Sequence, residues 1–586
     1  MESNAQNHYL PGSRKEMDAL GWKQADIILF SGDAYVDHPS FGSAVIGRML
    51  ESAGYRVALV PQPNWQDDLR DFKKLGAPLL FFGVSAGNMD SMINHYTAAR
   101  RLRHDDAYTP GNRHGARPDY PSLVYTKILK SLFPEVPVVL GGIEASLRRF
   151  THFDYWQNKL KPGILKDSGA DYLFYGMAEY PIVYFADALA QKKDITELHD
   201  IPNMQYLAKG IPIDTEHELL APHEICLHDK DAFSSNFVKI ERNANALEGK
   251  TLIQPIEQAY LITNPTIPLL STKKLDKIYS LPFTRTAHPR YQNKAPIPAY
   301  EMIRHSINIH RGCFGACAFC TIAAHQGRFI SSRSEKSIMK EVEKLTKMED
   351  FKGHISDLGG PSANMYAMQP INLNQCRICK RASCIYPGIC DNLNTDHTPL
   401  TKLYERVRNH QAVKKVTIGS GIRYDLILKA GKNYRASAGN YLEQLIRFHV
   451  SGRLKVAPEH SEDKVLKIMR KPSFELYERL QKTFDKINKK HQLNQQLIPY
   501  FISSHPGCSY SDMQELSKKV KAGNIITEHA QDFTPTPMTL ATVMYYTGKD
   551  PYTGKSIEIT SSLKEKAAQR NILKVKYKKQ TKKRKK

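Results

Sequence analysis

The sequence predicts an α/β protein: a Rossmann-like N-terminal domain, then a connector, then a partial (β/α)6 barrel. Three observations carry this. Short apolar runs alternate with helical stretches over residues 24–180, the alternation lapses over 181–300, and it resumes from residue 301 with strand candidates separated by helices. The 586 residues, 41% of them hydrophobic, accommodate roughly three or four domains with sizeable cores.

In the first region (1–180) the strand candidates are Asp26–Phe30, Arg56–Val60, Pro78–Gly83, Pro137–Gly141 and Asp171–Tyr175, with a helix at Ala44–Ser52 among those between them. A parallel sheet covered by helices follows, and ligands in such sheets bind beyond the C-terminal strand ends. SGDAYVDHPSFG, GVSAGNMD and GGIEAS occupy those ends. Residues 181–300 carry scattered Pro and charge and read as a connector. From 301 to 550 the strand candidates are Ser306–His310, His354–Leu358, Lys415–Ile418, Leu454–Ala457, Leu497–Ser503 and Thr542–Tyr546. Helices are expected at Glu335–Met348, Tyr441–His449, Ser461–Met469, Phe474–Asn488 and Ser511–Lys521, with Ser461 as an N-cap. In a β/α barrel the function lies at the C-terminal strand ends.

Charge is lopsided. The 83 Lys and Arg against 59 Asp and Glu give +24, and Arg570–Lys586 contributes ten basic residues and no acid. Residues 551–586 therefore read as a basic, disordered tail. A basic surface attracts phosphates, which admits RNA as a partner. No run approaches the roughly 18–20 apolar residues of a membrane span, and the N-terminus is polar, so a cytoplasmic protein with no membrane partner is expected.

Seven of the nine cysteines fall between positions 313 and 390. In a large chain without an export signal this clustering points to metal rather than to disulfides. Cys313, Cys317 and Cys320 form C-x3-C-x2-C directly after a strand, and Gly312 and Gly315 let the chain bend so that the thiolates converge. Three thiolates can hold three irons of a cubane and leave the fourth open. Two other readings remain: small core residues on one helix face, or zinc completed by His310 or His325. The spacing ranks metal above core and iron–sulfur above zinc. Cys376, Cys379, Cys384 and Cys390 form a second set, C-x2-C-x4-C-x5-C, in an insertion at 371–395. It suits a second iron–sulfur cluster or a structural zinc.

The segment HRGCFGACAFCTIAAHQGR resembles the signature of the radical S-adenosylmethionine (SAM) superfamily. Together with SSRS, SDLGGPSANMY, FTPTPMTLATVMYYTG, SGDAYVDHPSFG and GGIEASLRRFTHFDYW it resembles the YgiQ-type radical SAM family over most of residues 20–550. The resemblance implies a [4Fe-4S] cluster on Cys313, Cys317 and Cys320 whose open iron chelates SAM. It implies that Gly359 and Gly360 meet the SAM amino group and that Ser420 approaches its ribose. It further implies reductive cleavage of SAM to a 5′-deoxyadenosyl radical, with an electron donor such as flavodoxin or ferredoxin. The substrate is not implied, and no catalytic acid, base or hydrogen donor is singled out; His310, His325, Arg333 and Glu459 lie in suggestive segments. The N-terminal domain resembles a cobalamin-binding one, but Asp37 and His38 are adjacent where the cobalamin motif separates Asp from His by one residue, so cobalamin is disfavoured. A zinc-stabilised, non-catalytic RNA-binding protein is the alternative from another class. It accounts for the charge and both cysteine sets, but not for the glycine pair or the barrel pattern.

Overall fold

The computed structural model describes residues 8–194, 198–212, 216–267, 269–527 and 529–583, with the side chains beyond residue 573 left undescribed. The chain divides into two compact units, Met1–Leu270 with Lys274–Arg304, and Ser271–Lys273 with His305–Lys586.

In the first unit, β1 (Ile27–Ser31), β2 (Val57–Pro61), β3 (Phe81–Ser85), β4 (Val138–Gly141) and β7 (Tyr172–Phe174) lie parallel in the order β2-β1-β3-β4-β7. Every residue of β1 and β2 is buried, as expected of parallel strands covered on both faces. A small antiparallel hairpin, β5 (His152–Asp154) with β6 (Lys159–Lys161), stands apart from the sheet. The sheet then continues through β8 (Met204–Ala208), β11 (Ala259–Thr263), β10 (Thr251–Ile256) and β9 (His217–Leu219). The expected connector at 181–300 thus supplies four strands of this nine-stranded sheet. Its pairings are antiparallel from β7 to β8, β8 to β11 and β11 to β10, and parallel only from β10 to β9. Antiparallel neighbours need no crossover helix, so the βα rhythm that marked the first half is missing from the sequence. The core packs Ile27, Leu29, Val57, Leu59 and Phe81 with Phe185, Met204, Ile253 and Ile262.

The second unit opens with β12 (Ser306–Asn308). A hairpin of β13 (His310–Arg311) and β14 (Ser331–Ser332) closes the loop that follows. The next barrel strand is interrupted, β15 (His354–Ile355) and β16 (Asp357–Gly359), and β17 (Lys415–Val416), β18 (Arg453–Glu459), β19 (Gln496–Ser503) and β20 (His529–Asp532) complete the series. All the pairings among these barrel strands are parallel: β12 with β16, β15 with β17, and β18 with β19 and β19 with β20. This is the partial (β/α)6 arrangement. Its last strand is β20, not Thr542–Tyr546, which lies in the helix Leu540–Thr547. There Thr539 Oγ1 caps the Thr542 amide, and the Thr542 hydroxyl returns to the Thr536 carbonyl. The β-branched run is thus part of a locally capped helix rather than a strand.

Two further expectations are corrected. Ser461 precedes the helix Asp463–Ile468 by two residues; Glu462 is the N-cap, and the Ser461 hydroxyl bonds the Glu462 side chain. The tail expected to be disordered forms a helix, Leu563–Lys583, with Lys566, Gln569 and Leu573 buried. Met1–Asn7 and Arg584–Lys586, part of the polar N-terminus and of the basic tail, lie outside the described residues.

Candidate functional site

The three-cysteine loop is built by backbone constraints. After β12 the Ile309 amide donates to the Gly359 carbonyl, which ties this strand to the end of β16. Gly312 turns the chain at φ +89°, where a Cβ would stand 2.2 Å from the Phe329 carbonyl oxygen, so only glycine fits. The Cys313 amide then donates to Gly327 O (3.1 Å), Cys320 N to Cys317 O (3.1 Å) and Ala318 N to Met469 O (3.0 Å). The loop therefore sits at the C-terminal end of the first barrel strand, anchored across the barrel.

Burial pushes the Cys320 thiol up to about 12, and the neighbouring Cys317 and Cys313 sulfurs push the same way. The Cys313 thiol is raised by burial and by Cys317. Neutral thiols packed in this way become thiolates only when a cation joins them. One cation is already there: Arg423 Nη1 donates to Cys317 Sγ at 3.3 Å, while Nε and Nη2 grip Asp425 at 3.0 and 2.6 Å. A Cβ on Gly315 would meet Arg423 Nη1 at 2.9 Å, so the second glycine of the loop admits this guanidinium. Partly buried, adjacent thiols with a guanidinium on one sulfur fit a metal centre. Among the described residues no group of His, Cys, Asp or Glu is gathered to hold a single ion. A cubane differs in that each cysteine takes its own iron.

Gly359 ends β16 beside this loop, and Gly360 follows it. A Cβ on Gly359 would lie 2.5 Å from Ser420 Oγ, and one on Gly360 would lie 2.5 Å from the His310 ring. The Ser420 hydroxyl donates to Asp357, whose Oδ1 also accepts from Gly419 N at 2.9 Å. Burial raises the Asp357 carboxyl above its usual range. The fold thus assembles Cys313, Cys317, Cys320, Gly359, Gly360 and Ser420 at one end of the barrel.

The other suggestive residues divide. Glu459 ends β18 at φ +70° and faces Lys471 at 3.4 Å. His310 is fully buried and packs on Gly360. His325 lies on the short helix Ile322–Gln326. Arg333 is structural: it pairs with Glu341 at 2.5 Å and donates to Asn308 O at 2.8 Å. Sequence reasoning missed Arg423, Asp425, Asp357 and Lys471. Only the position of Arg423 and Asp425 just after Ser420, and of Asp357 just before the glycine pair, signals them.

In the first unit the strand-end segments are tied to buried arginines. Arg117 bonds Asp33 (2.8 Å) and Asp106 (2.9 Å), and Arg148 bonds Asp90 and Asp154 (both 2.9 Å). Asp37 is held by Arg48 (2.6 Å) and by the Thr284 amide (2.9 Å). His38 is 1% exposed, and its Nδ1 accepts from the Ser40 amide at 3.1 Å. These residues do not fit an Asp-supported axial imidazole for cobalamin.

A family model described as radical SAM N-terminal matches residues 9–306, and one described as a domain of unknown function (DUF3362) matches residues 528–581. A UPF0313 protein of Porphyromonas gingivalis is 57% identical over 567 residues, covering 96% of this chain and 89% of its own length. The chain belongs to the UPF0313 family. A second UPF0313 protein, from Bacteroides thetaiotaomicron, is 53% identical over 583 residues, covering 96% of this chain and 93% of its own. The YgiQ-type radical SAM motifs of this UPF0313 chain agree with that membership. Among solved structures, the radical SAM methyltransferase TsrM of Kitasatospora setae, with cobalamin and a [4Fe-4S] cluster bound, is 14% identical with a TM-score of 0.48. The likeness covers 88% of the UPF0313 chain and 74% of TsrM and is too distant to bear on its cofactors. No helix among the described residues is long and apolar enough to cross a membrane.

Proposed function

We propose that this chain is a radical SAM enzyme, with Cys313, Cys317 and Cys320 holding a [4Fe-4S] cluster and SAM bound beside Gly359, Gly360 and Ser420. The observation that carries the reading is the trio of adjacent, partly buried thiols at the end of the first barrel strand, with Arg423 on Cys317 and the glycine pair alongside. When bound, the cluster supplies the electron that cleaves SAM to methionine and a 5′-deoxyadenosyl radical.

The chain's own residues hold the site. Arg423 offsets thiolate charge and is itself oriented by Asp425. Gly359 and Gly360 keep side chains off the end of β16, so that backbone faces the cofactor. Asp357 orients the Ser420 hydroxyl and leaves its oxygen as an acceptor toward a ribose. The electron comes from a one-electron protein donor of the flavodoxin or ferredoxin kind.

The test is purification without oxygen, iron and zinc analysis, and a reductant-dependent assay for 5′-deoxyadenosine. Iron with product is expected, and Cys317→Ala should abolish both cluster and product. Zinc without iron, and no product, would sink the proposal.

A further inference from the structure

The second cysteine set lies in one neighbourhood, more open than the tight gathering that a single ion takes. The Cys390 amide donates to Cys384 O at 2.7 Å, Cys379 N to Cys376 O at 3.4 Å, and Asn392 Nδ2 to Cys376 Sγ at 3.6 Å. Cys376, Cys379 and Cys390 all lie near enough to act on the Cys384 thiol. This segment also props the first cysteine loop: Ser383 Oγ donates to the Phe314 and Gly315 carbonyls, and Cys384 N to Phe314 O.

A second observation points into the same place. Arg328 is 1% exposed. Its Nη1 donates to the Arg381 carbonyl, while Nε and Nη2 have no hydrogen-bond partner. Among the described residues no carboxylate pairs with it, although its charge bears on both Cys376 and Cys384. A buried guanidinium without an anion costs several kcal/mol. The same sulfurs as thiolates around a metal carry a net charge of about −2, whether the metal is a zinc ion or a [4Fe-4S] cube.

We propose that Cys376, Cys379, Cys384 and Cys390 hold an anionic tetrathiolate metal centre for which Arg328 is the built-in counter-cation. The thiols lose their protons to solvent as the metal binds. The centre stands independently of the chemistry proposed for the first cysteine site.

The experiment removes that first site. The full-length chain with Cys313, Cys317 and Cys320 all changed to Ser is prepared without oxygen and analysed for iron, acid-labile sulfide and zinc. Retained metal supports the centre: iron with sulfide identifies a cube, and zinc a single ion. A folded variant free of both overturns it. If the triple variant does not fold, Mössbauer spectroscopy and zinc analysis of the unaltered chain decide, and iron for one cluster with no zinc overturns the proposal. For Arg328, Arg328→Met should speed metal loss to a chelator by about ten-fold or more, with Arg328→Lys recovering part of the loss. With Cys376, Cys379, Cys384 and Cys390 changed to Ser, Arg328→Met should instead raise the melting temperature, because it removes an uncompensated charge. A purely structural arginine would lower stability in both backgrounds. That result, or unchanged metal retention in Arg328→Met, overturns the counter-cation role.

Discussion

Arg423 shows how much one residue carries. It links Cys317 to Asp425, and all three lie out of reach of most solvent: the Arg423 and Asp425 side chains are 10% and 6% exposed. Removing one partner of a buried pair strands the other charge, so Arg423→Met should lower stability by about 3–5 kcal/mol and reduce iron bound per chain. Changing Asp425→Leu as well removes the stranded charge. The double variant should regain most of the urea midpoint without regaining iron. A single variant that keeps both midpoint and iron would show that Arg423 is not coupled to the cysteines. Its place just after Ser420 is the one local hint of this arginine, because its partner Cys317 lies 106 positions away. The glycines of the loop were legible, by contrast, since a chain that must bend three thiols together needs residues without Cβ atoms.

At the scale of elements, the C-terminal helix Leu563–Lys583 is the clearest departure from expectation. Its lysines look like a solvated tail, yet Gln569 is 2% exposed and completes hydrogen bonds far from its own turn. Its Oε1 accepts from Ser504 N at 2.8 Å, and its Nε2 donates to Cys508 O at 3.2 Å and to Thr560 Oγ1 at 2.9 Å. Arg570 pairs with Asp532 at the end of β20. Gln569→Leu leaves the buried Ser504 amide without its partner and the Cys508 carbonyl with only the longer bond from the Thr560 hydroxyl (3.4 Å), at a cost of about 1–3 kcal/mol. The expected result is a lower urea midpoint with iron per chain unchanged, since the cysteine loop is not touched. An unaltered midpoint would show the helix to be dispensable. Composition could not reveal this element, because its attachment depends on a few buried residues within a strongly basic sequence.

The barrel as a whole should be acid-labile. Burial holds His397, His449, His460 and His505 down to about 4, from an ordinary value of 6.5. Unfolding exposes them, so below pH 6.5 the unfolded chain takes up protons that the folded chain refuses. Stability is therefore full above pH 6.5 and is lost as the pH falls toward 4, by about 1.4 kcal/mol per pH unit for each imidazole at full effect. The urea midpoint should drop between pH 7 and pH 5, and His449→Gln, which replaces an imidazole bonded to Val416 O, should make that drop shallower. A midpoint indifferent to pH over this range would refute the account. The formal charge of +24 adds self-repulsion in the same direction as acid is added.

The sequence by itself determined the α/β class, the parallel strands that alternate with helices, and the cysteines of both sets. Each of these is written in local pattern: a βα rhythm, a spacing, a glycine where the chain must turn. Tertiary structure alone decided that residues 204–263 extend the first sheet, that β20 rather than Thr542–Tyr546 ends the barrel, and that the basic C-terminus docks as a helix. It also decided which charges meet the sulfurs, Arg423 at one set and Arg328 at the other. Antiparallel pairing and buried ion contacts join residues that are distant along the chain, and their energy comes from burial and geometry that no local pattern records.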